Sequence, residues 1–253
     1  MLALRSFQIF GAHWTAIARA YLAPLGLAIG VFGAAYLVLS VVAEASRQNL
    51  TLIAFVLGAI GGALIAPLVV TSLLLAVANA LWEEVPFPAS FSISIGLWPE
   101  QAKVVIPSFF ASGVVLVIGQ AVWVTTVVPA GKPVLETIGL ILVVLCYAGS
   151  AVLAFLGTLA ASFVAVEETA PAAAFVKAFD LLLVRNAGAG ISAAVMYGVL
   201  LLGLPVLTES AIAWLAQAVN LPLLVLLNVV VPLVYSAIGV TFALLFAERD
   251  LLA

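Results

Sequence analysis

The chain has 253 residues, 66% hydrophobic and 8% charged, with a formal net charge of -3 and a mean hydropathy of +1.37. A soluble domain carries about 25% charged residues and needs a polar exterior, so the solvent of this chain must be the bilayer. The small, scattered charge excludes nucleic acid as a partner, while a single cysteine, Cys146, and a single histidine, His13, exclude an intrachain disulfide and the usual zinc clusters.

The chain opens with an amphipathic segment. Leu4, Phe7, Phe10, Trp14, Ile17 and Tyr21 recur at helical spacing, with Arg5, Gln8, Thr15 and Arg19 mostly elsewhere on the wheel. Its polar residues interrupt the apolar core that a cleavable signal peptide needs. Apolar stretches long enough to cross a bilayer, at about 20 residues each, then run from Leu22 to Ala43 and from Leu50 to Trp82. The second contains Gly58, Gly61, Gly62 and Pro67, which predicts a kink or a tilt. Gly26 with Gly30, and Gly58 with Gly62, form GxxxG pairs, read here as helix packing within one chain.

A second amphipathic segment places Phe91, Ile95 and Trp98 on one helical face, although the alternation from Phe91 to Ile95 also suits a strand. Spans are expected from Val104 to Val128 and from Thr137 to Val166. In the third amphipathic segment Thr169 fits an N-cap and Pro171 the first helical turn, with Phe175, Phe179 and Leu182 along one face. Spans from Gly188 to Leu207 and from Leu221 to Ala247 complete the count. Glu209, Trp214, Gln217 and Asn220, between them, fit an interfacial turn. The amphipathic helices either lie in the membrane interface or cover the ends of the bundle, and the two are compatible.

The fold class expected is therefore all-α, a polytopic bundle of about six spans forming one membrane domain over residues 1–253. Six spans put Arg5, Arg19, Lys103, Lys177, Arg185 and Arg249 on one side and only Arg47 and Lys132 on the other. This bias places both termini in the cytoplasm and the protein in the cytoplasmic membrane. The same parts recur in order. Acidic exits stand at Glu83-Glu84, Glu167-Glu168 and Glu248, spaced 84 and 81 residues apart, which suggests three related hairpins over 1–84, 85–168 and 169–253.

The run from Phe163 to Pro171, followed by Ala172 to Leu183 and a span, resembles a bacterial membrane-domain family found beside glycerophosphoryl diester phosphodiesterases. The close from Thr241 to Asp250 is similar to that family's, although Phe246 and Ala247 stand where a tyrosine is common. The resemblance implies a membrane architecture and a loose link to envelope or lipid biology. It implies no catalytic residue, because the family's chemistry belongs to a separate soluble domain.

No Asp, Glu, Lys or Arg falls in the middle of an expected span, which argues against a proton-coupled pump or a voltage sensor. The intramembrane polar residues are mild, and Gln120, Asn228, Tyr235 and Asn79 are the candidate polar contacts. They form either a polar seam for a small solute or ordinary interhelical hydrogen bonds, and the second reading is preferred. The paired glutamates fit helix ends better than any calcium loop. No catalytic group, metal site or cofactor is expected. The sequence thus reads as a non-enzymatic scaffold or accessory protein whose partners are membrane lipids and other membrane proteins. The alternative is a channel or transporter for a small neutral or amphiphilic solute.

Overall fold

The structure, a computed structural model, describes residues 2–42, 47–82, 87–128, 133–185, 187–200 and 221–251. Helices α1 (Leu2–Val42) and α2 (Arg47–Trp82) form a first pair, and α3 (Phe87–Gly96) leads into α4 (Trp98–Val122) and α5 (Pro133–Glu167). Helices α6 (Pro171–Phe179), α7 (Ala187–Gly198) and α8 (Leu221–Leu251) follow. No strand occurs among the described residues. The stretch around Phe91 to Ile95 is helical, so its alternation is not that of a strand. Among the described residues four helices are long and apolar enough to cross a membrane, and α6 with α7 make a fifth candidate if that bent pair is one span. The protein is accordingly membrane-embedded.

One boundary differs from the sequence expectation. The first amphipathic segment and the first span are one helix of 41 residues, interrupted only by a non-helical backbone at His13 (φ -119°, ψ 21°). At 1.5 Å per residue it is about 60 Å long, roughly twice the hydrocarbon thickness. The third amphipathic segment and the fifth stretch are separate helices, as expected: a π-helical turn over Asp180–Arg185 follows α6, and α7 then leaves at 113°. A π turn closes α4 as well, over Trp123–Val127, where the Val128 N–H donates to the Trp123 carbonyl at 3.1 Å. Residues 201–220, including Glu209, Trp214, Gln217 and Asn220, lie outside the described residues.

The buried core gathers at one end of the bundle. Leu73 to Val77 of α2, Phe155 to Val164 of α5 and Ala237 to Leu244 of α8 meet Ile17 and Ala20 of α1 and Val104 and Val105 of α4. Phe155, fully buried, is the hub. Its ring lies 4.8 Å from Tyr197 of α7, and 5.9 and 5.5 Å from Phe242 and Phe246 of α8. Away from this end α1, α4 and α5 expose large apolar side chains such as Ile29, Val38, Phe110, Val117 and Val144, the surface expected of helices in lipid.

Small residues set how closely the helices approach. A Cβ added to Gly157 of α5 would stand 2.3 Å from the Cβ of Ser108 on α4, and one on Gly198 of α7 would stand 2.5 Å from that of Ala151. At Gly190 the added carbon would reach the Leu182 carbonyl at 1.8 Å, which keeps the α6–α7 bend tight. The GxxxG expectation fares differently. Gly26, Gly30 and Gly62 have open space where a Cβ would go, whereas Gly61 seats the Phe32 ring. Gly26 and Gly30 therefore do not pack within the chain.

Prolines supply the remaining irregularity. Pro67 removes one backbone donor from α2, the partner of the Ala63 carbonyl, and side-chain hydrogen bonds from α2 itself and from α4 lie beside the break. The Thr71 hydroxyl donates to the Pro67 carbonyl at 2.6 Å, and the Trp98 indole N–H donates to the Leu64 carbonyl at 2.8 Å.

These contacts predict opposite outcomes for two glycine substitutions. Gly157→Val overpacks the α4–α5 contact and should cost about 1–3 kcal/mol. Gly26→Ala, on an open helical face, should be neutral or stabilise by about 0.5–1 kcal/mol. Thermal unfolding in micelles, followed by intrinsic fluorescence, reads both.

Candidate functional site

The polar side chains within the bundle pair off across helix contacts. Ser112 of α4 and Ser150 of α5 form a reciprocal clasp: the hydroxyls lie 2.8 Å apart, and each also reaches the other's backbone carbonyl at 3.0 Å. Ser72 of α2 meets Ser94 of α3 at 3.0 Å. Thr158 of α5 donates to the Ala154 carbonyl or exchanges a hydrogen bond with the Tyr197 hydroxyl at 2.5 Å. All of these hydroxyl residues are buried.

Gln101 is the exception. It is fully buried at the start of α4, and its amide Nε2 donates to the Ala161 carbonyl of α5 at 2.9 Å. Its Oε1 accepts no hydrogen bond, and the indole nitrogen of Trp82 is likewise buried without a partner. An unmade hydrogen bond of this kind costs about 1–3 kcal/mol, so the amide is held there by the packing around it.

Charged groups occupy the helix ends. Lys177 of α6 grips Glu167 through both carboxylate oxygens at 2.7 Å, and its ammonium stands 4.6 Å from the centre of the Phe163 ring. Arg5 near the start of α1 reaches Glu248 near the end of α8 at 3.1 Å. Lys103 pairs with Glu100 at 2.7 Å, and Arg185 pairs with Asp180. The three more exposed pairs contribute about 0–1 kcal/mol each, and the part-buried Lys177–Glu167 pair ties α6 to the end of α5.

The junction between α5 and α6 departs from the expected cap. Glu168 takes a left-handed backbone (φ 52°), which lets the Thr169 N–H reach back to the Phe163 carbonyl at 3.3 Å. Ala170 is the N-cap of α6, and the Thr169 hydroxyl donates to Glu167 instead of capping. The buried face of α6 is Ala174 and Ala178, continued by Leu181 and Leu182, while Phe179 and Val176 face outward.

Of the four residues singled out in the sequence, the three whose side chains are described stand apart, on α4, α8 and α2. Gln120 is exposed on the outer part of α4, next to Gly119, which packs on Cys146. Tyr235 is half-buried on α8, and Asn79 is half-buried near the end of α2 and engaged by a neighbour. Asn228 falls on α8, with its side chain outside what is described. A cleft of about 410 Å³ between α1, α2 and the α3–α4 junction is lined by none of the four. Among the described residues no three His, Cys, Asp or Glu side chains converge on a metal-sized space. Glu83 and Glu84 lie outside the described residues.

Sequence reasoning missed Gln101 and Ser112. The buried positions of α4 are Gln101, Val104, Val105, Ser108, Ser112 and Gly119, a stripe at steps of three, four and seven. Extending that stripe back from Ser108 would have reached Gln101. Comparison of the chain with family models, curated proteins and solved structures gives no match.

The serine clasp predicts a measurable coupling. Ser112→Ala and Ser150→Ala should each cost no more than about 1–2 kcal/mol. Their double variant should cost less than the sum of the two, since either change breaks the same contact. A double-mutant cycle in micelles, read by thermal unfolding, checks this.

Proposed function

We propose that the protein is a non-enzymatic scaffold or accessory factor of the cytoplasmic membrane, crossing it six times and engaging lipids or other membrane proteins. The observation that carries this reading is the way the interior polar groups are used. Ser112 with Ser150, Ser72 with Ser94, and Thr158 with Tyr197 satisfy one another across helix contacts, which is the pattern of structural adhesion in lipid. A solute path would need polar groups aimed into a shared cavity, whereas the cleft beside α1 and α2 has an apolar lining.

The order of elements supports three related hairpins. A short leading helix, a break and a further helix recur: the breaks stand at His13, at Leu97 between α3 and α4, and between Arg185 and Ala187. The acidic exits support it too. Glu167 is held by Lys177 of the next leading helix, and Glu248 by Arg5 of the first. Meeting ends favour an even number of spans, and the basic residues favour cytoplasmic termini. The resemblance to the membrane domain found beside phosphodiesterases fits a role in envelope or lipid biology.

Two measurements test the reading. In a Cys146→Ala background, Gln8→Cys should react with a membrane-impermeant maleimide only in inverted vesicles, and Lys132→Cys only in intact cells. Purification in native-lipid nanodiscs should then retain a defined lipid or membrane protein by mass spectrometry. Saturable solute flux in liposomes, lost in Gln120→Leu or Asn228→Leu, would instead establish the transporter.

A further inference from the structure

The cleft between the first two hairpins has a definite shape. It lies among Ala28 and Phe32 of α1, Leu64 and Leu68 of α2, and Ile95 and Trp98 at the α3–α4 junction, and holds about 410 Å³. That volume is within the roughly 300–1,000 Å³ of small-ligand pockets. Its walls are fixed by contacts already described. Phe32 is seated on Gly61 on the side toward the N-terminal half of α2, and Trp98 is tied to the Leu64 carbonyl. The cleft follows from the α2 proline and the α3–α4 break, which keep α1 and α2 from closing on the second hairpin.

The chemistry of the lining narrows the occupant. Every lining side chain is apolar, and the one polar group among them, the Trp98 indole N–H, is engaged by the Leu64 carbonyl. Water needs two to four polar partners to settle in a cavity, and a polar ligand needs at least one free donor or acceptor. Neither finds them here. Leu64 and Ile95, at 41% and 53% exposure, belong both to the cleft and to the outer apolar surface. The cleft is thus continuous with the exposed apolar surface of α1 and α2, the kind of surface that helices in lipid present.

We propose that this cleft is a binding site for one acyl chain of a membrane phospholipid, which enters laterally and lies against Trp98. With no charged residue in its lining, the site selects the hydrocarbon chain and is indifferent to the headgroup. This rests on the membrane-embedded part of the proposed function and gives its lipid engagement a place.

The test uses the full chain with Trp98 as its sole tryptophan (Trp14, Trp82, Trp123 and Trp214→Phe), reconstituted in phospholipid brominated along the acyl chain. Strong quenching of Trp98 is expected, equal with zwitterionic and anionic headgroups. Ala28→Phe, which fills the cleft, should at least halve it, and Gly26→Ala, on the open face of the same helix, should leave it unchanged. In the unmodified protein, a phospholipid carrying a diazirine in its chain should label peptides containing Ala28–Phe32 and Leu64–Leu68 above all others, so the result does not depend on how Ala28→Phe folds. Quenching unaffected by Ala28→Phe together with labelling spread over all exposed helices would mean bulk lipid only, and overturns the site. Absence of quenching with efficient Ala28→Cys disulfide dimers would mean that a second copy covers the cleft, and overturns it as well. Solute flux would remove the scaffold reading while leaving the Trp98 result intact, so the two fail separately.

Discussion

Two helices already dissolved in lipid gain no hydrophobic free energy by touching, because acyl chains are as apolar as leucine. Association must come from close van der Waals approach and from hydrogen bonds that lipid cannot replace. The α4–α5 pair meets both demands at one seam. Gly157 lets Ser108 come down onto the α5 backbone, and one turn outward Ser112 and Ser150 lock the approach. That pair then presents Phe155 and Thr158 to the rest of the chain, and Tyr197, Phe242 and Phe246 close around them. Helices α2, α6, α7 and α8 pack against this unit, and α1 joins the bundle through α2 and α8.

The irregular backbone has a common logic. Where the backbone departs from the α-helix, side chains and turns supply hydrogen bonds close by, as lipid favours. Pro67 is accompanied by Thr71 and Trp98, and the end of α5 by the left-handed Glu168 turn. The π turns after α4 and α6 keep the backbone hydrogen-bonded while rotating the helix phase. Polar groups in the bundle are therefore consequences of backbone geometry as much as of side-chain chemistry.

Much of this was legible in the sequence because hydropathy and length report directly on the bilayer. The long apolar helices, the kink-prone α2 and the leading helices before α4 and α7 all lie near where periodicity and proline placed them. Individual contacts were not legible. The expected start of the third span at Val104 left Gln101 outside it, although Gln101 lies on the same buried stripe as Ser108 and Ser112. Gln120 drew attention as an amide in an apolar run, yet the stripe passes through Gly119 and turns Gln120 outward. Gly26 and Gly30 have the spacing of a packing motif and an open face, since spacing says that a close approach is feasible and not that a neighbour is present. At α6 the expected face is shared: Leu182 is buried and Phe175 packs on the core beside Ala174 and Ala178, while Phe179 is exposed.

The contact between Arg5 and Glu248 has a topological meaning beyond its small energy. It brings the first turns of α1 beside the last turns of α8, which makes the order of helices effectively circular. A short linker joining the two ends would span a gap the fold has already closed, and the chain could then be opened at an outer loop with its contacts preserved. Domains attached at either end would also emerge over the same face of the bundle, side by side.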